Sequence, residues 1–85
     1  MGRGRRFIPK RLGHKLLMIR QHHNLTQQQL VEKIHPGVNP MARAIISQYE
    51  RGERIPSLIE LIEYANLADT TIDCLVKDEL DLEFK

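Results

Sequence analysis

Apolar residues recur at helical rather than alternating intervals over most of the chain. Leu12, Leu16 and Ile19 fall at i, i+4 and i+7, one stripe of a helix, with Leu17 flanking it. Pro9 is placed to open this helix and Asn24 to stop it after His22 or His23. Gly13 lies within it at a cost in helix stability, for which close packing is the available reason. A second helix follows Thr26, whose hydroxyl is positioned to accept from the Gln29 backbone N–H. The Gln29 amide is placed to reach back, which makes a capping box. Leu30, Val31 and Ile34 form its apolar face, and His35-Pro36-Gly37 stops it. Asn39 and Pro40 restart a third helix as cap and first helical residue. Ile45, Ile46 and Tyr49 are its buried stripe, and Gly52 supplies the left-handed residue that ends it. Ile55-Pro56 is an extended connector, because the residue before proline avoids helical angles. Ser57 and Glu60 make a second capping box for a fourth helix with Leu58, Leu61, Ile62 and Ala65 on its apolar face. Asp69-Thr70 turns the chain, and Thr71 caps a short fifth helix carrying Ile72, Leu75 and Val76. The pattern predicts an all-α fold, a compact five-helix bundle.

The remaining tail, KDELDLEFK, alternates Leu80, Leu82 and Phe84 with charged residues. Period two is a strand pattern. A lone strand is unstable in water, so the tail is expected either to pair with a second copy or to fray.

The second and third helices, joined by a turn and carrying polar and basic side chains on the free face of the third, describe a helix-turn-helix. Leu25-Thr26-Gln27, Leu30, Lys33-Ile34, then Ile46-Ser47-Gln48-Tyr49-Glu50-Arg51-Gly52, then Ile55-Pro56-Ser57-Leu58 together resemble the Xre-type family, the phage-repressor-like (Cro/CI) helix-turn-helix regulators. The likeness runs from about Leu12 to Val76. One departure is a longer stretch between Ile34 and Ile46 than the usual pattern has. The resemblance implies a repressor-like DNA-binding domain, placed at residues 9–76, and composition sets a basic flexible arm (1–8) before it and an acidic C-terminal tail (77–85) after it. It also places Gln27 on the DNA backbone and Arg43, Ala44, Ser47 and Gln48 toward base edges.

Charge supports a polyanionic partner. Met1–Asn24 holds seven Lys/Arg and no Asp/Glu, whereas Ile55–Lys85 holds two Lys and eight Asp/Glu. A chain basic at one end and acidic at the other presents one face to a polyanion and another elsewhere. The MGRGRR start reads as a solvated tail or as an arm that tracks phosphates or enters the minor groove. At 85 residues, with four aromatic side chains, the core must be small and aliphatic, and dimerisation would add buried area. Cys74 is alone, which rules out an internal disulfide and fits a reducing cytosol. No apolar run spans a membrane, and the basic start leads into no signal-peptide core. A cytoplasmic protein, nucleoid-associated when on DNA, is expected.

The residue chemistry points the same way. With Ile45, Ile46 and Tyr49 inward, Arg43, Ala44, Ser47, Gln48 and Arg51 are outward or lateral. A guanidinium fork bonds guanine O6 and N7 together, a glutamine amide does the same for adenine, and Ala44 suits a thymine methyl, so Arg43 is the foremost base reader. Met41 and Ala42 would join them if the helix starts at Pro40. Gln27 and Gln28 occupy the first turn of the second helix, whose free amides favour an anion. Arg51 and Arg54 are expected on phosphates, and Glu50 either to pair with an arginine such as Arg54 or to cap a neighbouring group. His14, His22, His23 and His35 have no ligand spacing, so no metal or other cofactor is expected, and Cys74 is expected to pack inertly. No catalytic constellation is present, so the chain reads as a non-enzyme. The expected activity is sequence-specific binding of double-stranded DNA by a homodimeric transcription regulator, a repressor. Two rivals are an antitoxin or controller subunit that also holds a partner protein through the acidic tail, and an interaction adaptor without DNA binding.

Overall fold

The structure is a computed structural model and describes residues 9–34 and 43–84. The predicted stop at His35-Pro36-Gly37, the Asn39 and Pro40 helix start, and Met41 and Ala42 lie outside the described residues, as do residues 1–8. Five helices form among those described: α1 Leu12–His22, α2 Gln27–Ile34, α3 Arg43–Glu50, α4 Leu58–Ala68 and α5 Ile72–Val76.

Local chemistry sets most of their ends. Before α2, the Gln29 backbone N–H donates to Thr26 Oγ1 at 3.1 Å and the Thr26 N–H donates to Gln29 Oε1 at 2.8 Å. The same reciprocal pair joins Ser57 and Glu60 ahead of α4, at 3.2 and 2.8 Å. Thr71 Oγ1 accepts from the Cys74 N–H at 3.3 Å to open α5. Three ends use left-handed residues: Asn24 after α1 (φ 56°), Gly52 after α3 (φ 78°) and Asp69 after α4 (φ 55°). Each lets following amides fold back onto the last helical carbonyls, as Leu25 does to Arg20 and Thr70 to Ala65.

The start of α1 is the exception. Helical structure begins at Leu12 rather than at Pro9, and Arg11 provides no side-chain cap. The two residues leading into α1 are tied down from far along the chain, where the Asp78 carboxylate accepts from the Lys10 N–H at 3.0 Å and the Arg11 N–H at 2.9 Å.

The core is aliphatic, built from Leu12, Leu16 and Ile19 of α1, Leu30, Val31 and Ile34 of α2, Ile46 of α3, Leu61 of α4 and Leu75 of α5, with Tyr49 and Tyr64 as its aromatic members. Tyr64 is wholly buried, and its hydroxyl has no hydrogen-bond partner among the described residues. It therefore contributes shape and apolar area, not a polar contact. On α4 the buried face is Leu61, Tyr64, Ala65 and Ala68. Leu58 and Ile62, expected inside, are exposed. The residues three and four apart from Leu61 that pack are Tyr64, Ala65 and Ala68, so the face is rotated away from the one that the aliphatic side chains alone indicate.

Gly13 sits where α1 crosses the end of α3. A Cβ placed there would lie 2.8 Å from the Tyr49 carbonyl oxygen and 2.9 Å from that of Glu50. Only a glycine allows this approach, because the obstructing atoms are backbone.

The tail forms neither a strand nor a frayed end over the described residues. It is packed along α1. Lys15 is only 1% exposed, and its Nζ donates to three carbonyls, those of Cys74 (2.7 Å), Lys77 (2.9 Å) and Leu80 (2.7 Å). An ammonium has three donors, so this cage satisfies it completely. Burial, followed by the nearby Arg11 charge, lowers the Lys15 pKa. The Arg11 guanidinium reaches the Asp78 carbonyl at 2.6 Å and the Asp81 carboxylate at 2.9 Å. Leu82 is buried, and the half-buried Phe84 stacks on His22 with ring centroids 4.0 Å apart. Of the alternating apolar residues, Leu82 and Phe84 pack against the helical core and Leu80 is exposed, and no strand forms over the described residues.

Two outcomes follow. Gly13→Ala should lower stability by about 2 kcal/mol or more, measured by chemical denaturation, although alanine is the better helix former by about 1 kcal/mol. The backbone N–H donors of Lys10 and Arg11 hold the Asp78 carboxyl below its usual 3.8. Its contribution is then present in full above 3.8 and lost as pH falls through the lower folded value. An acid titration followed through the Phe84 resonances should show the tail loosening in that range in the wild type, and no such step in Asp78→Asn.

Candidate nucleic-acid interface

The N-terminus of α2 and the outer surface of α3 are joined by one carboxylate. Glu50, at the end of α3, accepts from Arg20 Nε at 2.6 Å and Nη2 at 3.1 Å, and from Gln27 Nε2 at 3.2 Å. Arg20 also donates to the Leu25 carbonyl at 3.0 Å, in the link between α1 and α2. The Arg20 and Glu50 side chains are 19% and 6% exposed. The arginine that pairs with Glu50 is therefore Arg20, not Arg54. Glu50 ends up facing α1 because α3 crosses that helix at Gly13, whereas Arg54 lies beyond the turn at Gly52 and is exposed. Arg20 follows Leu16 by four residues, and Lys15 falls between Leu12 and Ile19 on the apolar stripe. Those spacings are the signal that marks both as core-edge residues.

The side chains expected to meet DNA divide into three groups. Arg43 and Ala44 are exposed at the start of α3, and Ser47 and Gln48 are half-buried one turn on. Arg51 and Arg54 are exposed just beyond. Arg51 is engaged by Glu53, Nε to Oε2 at 2.8 Å, and by the Ser47 hydroxyl. Gln28 is exposed at the start of α2, while Gln27 is half-buried, its amide nitrogen turned to Glu50. The inward side of α3 holds Ile46 and Tyr49, with Ile45 half-buried. Tyr49 lies in the core, as expected, and its hydroxyl donates to the Glu60 carboxylate at 2.8 Å. Burial, reinforced by that carboxylate, raises its pKa well above the usual range.

This arrangement has an electrostatic result. Glu50 would repel a polyanion, but Arg20 cancels its charge from within. What α3 and its following turn offer outward is then Arg43, Arg51 and Arg54 against Glu53. His22 and His23 meet edge to face at 5.2 Å, and among the described residues no cluster of three His, Cys, Asp or Glu could hold a metal. No described helix is long and apolar enough to cross a membrane.

A family model for the helix-turn-helix matches residues 16–73, well over half of the chain. The chain belongs to the helix-turn-helix family of Cro/CI, Xre-like type. It carries a DNA-binding domain of the kind found in transcription regulators. No curated protein matches it. The match spans α2, α3 and α4 of this helix-turn-helix protein. It leaves out Lys15, Asp78 and Asp81, so the polar clasp between the start of α1 and the tail lies largely beyond the matched region.

Removing one partner of a buried ion pair leaves the other charge uncompensated, at a cost of roughly 3–5 kcal/mol. Arg20→Met and Glu50→Leu should each destabilise the helix-turn-helix protein on that scale in urea unfolding. The double variant should lose clearly less than the sum of the two, and additive losses would deny the coupling.

Proposed function

We propose that this helix-turn-helix protein is a sequence-specific transcription regulator, a repressor, that binds double-stranded DNA as a homodimer and reads the major groove with α3. The observation that carries this reading is the outward strip Arg43, Ala44, Ser47 and Gln48 on a helix whose reverse side is anchored by Ile46, Tyr49 and the Glu50 joint. A major groove about 12 Å wide admits one helix, and its exposed N-terminal side chains are those that reach base edges. In this assignment Arg43 forks onto a guanine, Gln48 faces an adenine, Ala44 meets a thymine methyl and Ser47 bonds an edge or a phosphate.

Phosphates are taken by Gln27 and Gln28 at the start of α2 and by Arg51 and Arg54 after α3. For Gln27 the amide nitrogen is held by Glu50, so its backbone N–H, at the positive end of the helix, is the group that meets the phosphate. Arg51 exchanges Glu53 for a phosphate oxygen, a cheap exchange because both partners are exposed. Two copies place their α3 helices in successive major grooves about 34 Å apart on a pseudo-palindrome.

Selection of bound duplexes from a random pool should return a two-fold motif with that spacing. Arg43→Ala should relax specificity at one base pair and cost about 1–3 kcal/mol. Arg51→Ala should weaken binding to all sequences alike and flatten the dependence of log K on log salt. No salt-dependent retention on random duplex, or equal losses for both variants on selected and random DNA, would overturn the assignment in favour of an adaptor without DNA binding.

A further inference from the structure

The helix α4 carries large aliphatic side chains on its outward side as well as its inward one, and only the inward set is used within the chain. Leu61, Tyr64, Ala65 and Ala68 face the core. At about 100° per residue, Leu58, Ile62, Asn66, Ile59 and Glu63 fall in that order along the opposite arc. Leu58 is 64% exposed, Ile59 70% and Ile62 39%, and Ile55 of the preceding connector is 44% exposed. Large aliphatic side chains exposed together beside polar Asn66 and Glu63 form a contiguous apolar patch of the kind that marks an interaction site.

We infer that the outward stripe Leu58–Ile59–Ile62 of α4 is the contact by which two copies of this chain associate about a two-fold axis. This rests on the homodimer in the reading above and supplies its interface. Three observations select a second copy as the occupant. The first is area. The four aliphatic residues expose on the order of 400 Å² together, within the size of patch that commonly has a function. That is about half of the roughly 800 Å² that each partner contributes to a standard interface, close to the apolar share of such interfaces. The second is the rim. Beyond Ile62 the stripe runs into a shallow groove lined by Lys33, Ile34, Glu63, Asn66 and Leu67. An ammonium, a carboxylate and an amide lie within one edge, so the edge complements itself when turned through 180°, as an isologous contact requires. A rim of one sign would repel its own copy, and one this mixed has no charge excess to attract a polyanion or an anionic membrane. The third is that the stripe shares no residue with the DNA-facing set on α2 and α3, so both surfaces are usable together.

The test is the oligomeric state in solution, followed by sedimentation equilibrium without DNA. The wild type should be a concentration-dependent dimer. Ile59→Glu should raise the dimer dissociation constant at least about thirty-fold, the loss that a central contact commands. Its helical circular dichroism should be retained, because position 59 lies outside the core. In a Cys74→Ser background, Ile59→Cys and Ile62→Cys should be crosslinked between chains by a short bismaleimide, whereas Glu32→Cys, on the exposed side of α2, should not. A monomeric wild type at tens of micromolar would overturn the inference. So would a dimer that Ile59→Glu leaves intact, or crosslinking that does not favour positions 59 and 62. Failure of the interface is separable from failure of the DNA reading. If only the interface is wrong, salt-dependent binding to a duplex carrying one half-site persists. If only the DNA reading is wrong, the dimer and its sensitivity to Ile59→Glu remain while duplex binding is absent.

Discussion

The outward surface of α2 and α3 depends on where the Glu50 carboxylate is held. It bonds Arg20 of α1 and Gln27 of α2 from its own place on α3, so three helices meet at two oxygen atoms. A buried ion pair is a poor source of net stability, because desolvation of two charges offsets most of their attraction. Its effect is on orientation. Hydrophobic packing of Ile46 and Tyr49 tolerates small rotations of α3, but a bidentate carboxylate–guanidinium pair at 2.6 and 3.1 Å does not. The nearby crossing at Gly13 fixes the distance between α1 and α3, and the ion pair fixes the angle. Tyr49 adds a second tie through Glu60, the residue that also closes the capping box of α4.

The domain is small, and its core is correspondingly thin. It supplements that core with polar contacts at its edge. The Lys15 ammonium is the clearest case. A charged group at 1% exposure would be ruinous unpaired, yet every one of its protons has a carbonyl acceptor. Two of those acceptors, Lys77 and Leu80, lie beyond α5. The acidic tail, which looks superfluous by composition, is thereby part of the fold, and its Asp78 fixes the two residues that lead into α1.

Much of this was legible in the sequence because it is local. The two capping boxes, the threonine cap of α5, the left-handed Gly52 and the apolar stripes of α1, α2 and α3 all depend on residues within four positions of one another. The family motif is likewise local within each helix. What could not be read was long-range. Arg20 and Glu50 are thirty residues apart, and Asp78 and Arg11 sixty-seven, so no periodicity announces them. The tail misled because alternation is read as a strand, whereas here only Leu82 and Phe84 of the alternating set pack, with Phe84 stacked on His22 of α1. On α4, aliphatic residues outnumber the positions one face can bury, and the inward set includes Tyr64 and two alanines that hydropathy ranks below Leu58 and Ile62.

The cage around Lys15 also bears on how the chain comes together during synthesis. Its acceptors lie 59 to 65 residues later in the chain. The segment that becomes α1 emerges well before these partners, so its ammonium has no carbonyl to meet and the amides of Lys10 and Arg11 have no carboxylate until the stretch through Leu80 is made. Contacts so distant are slow to close. Among the described helices, the one translated before the others is therefore completed after them, and a ribosome that stalls before Asp78 would leave the approach to α1 untied and the cage unclosed.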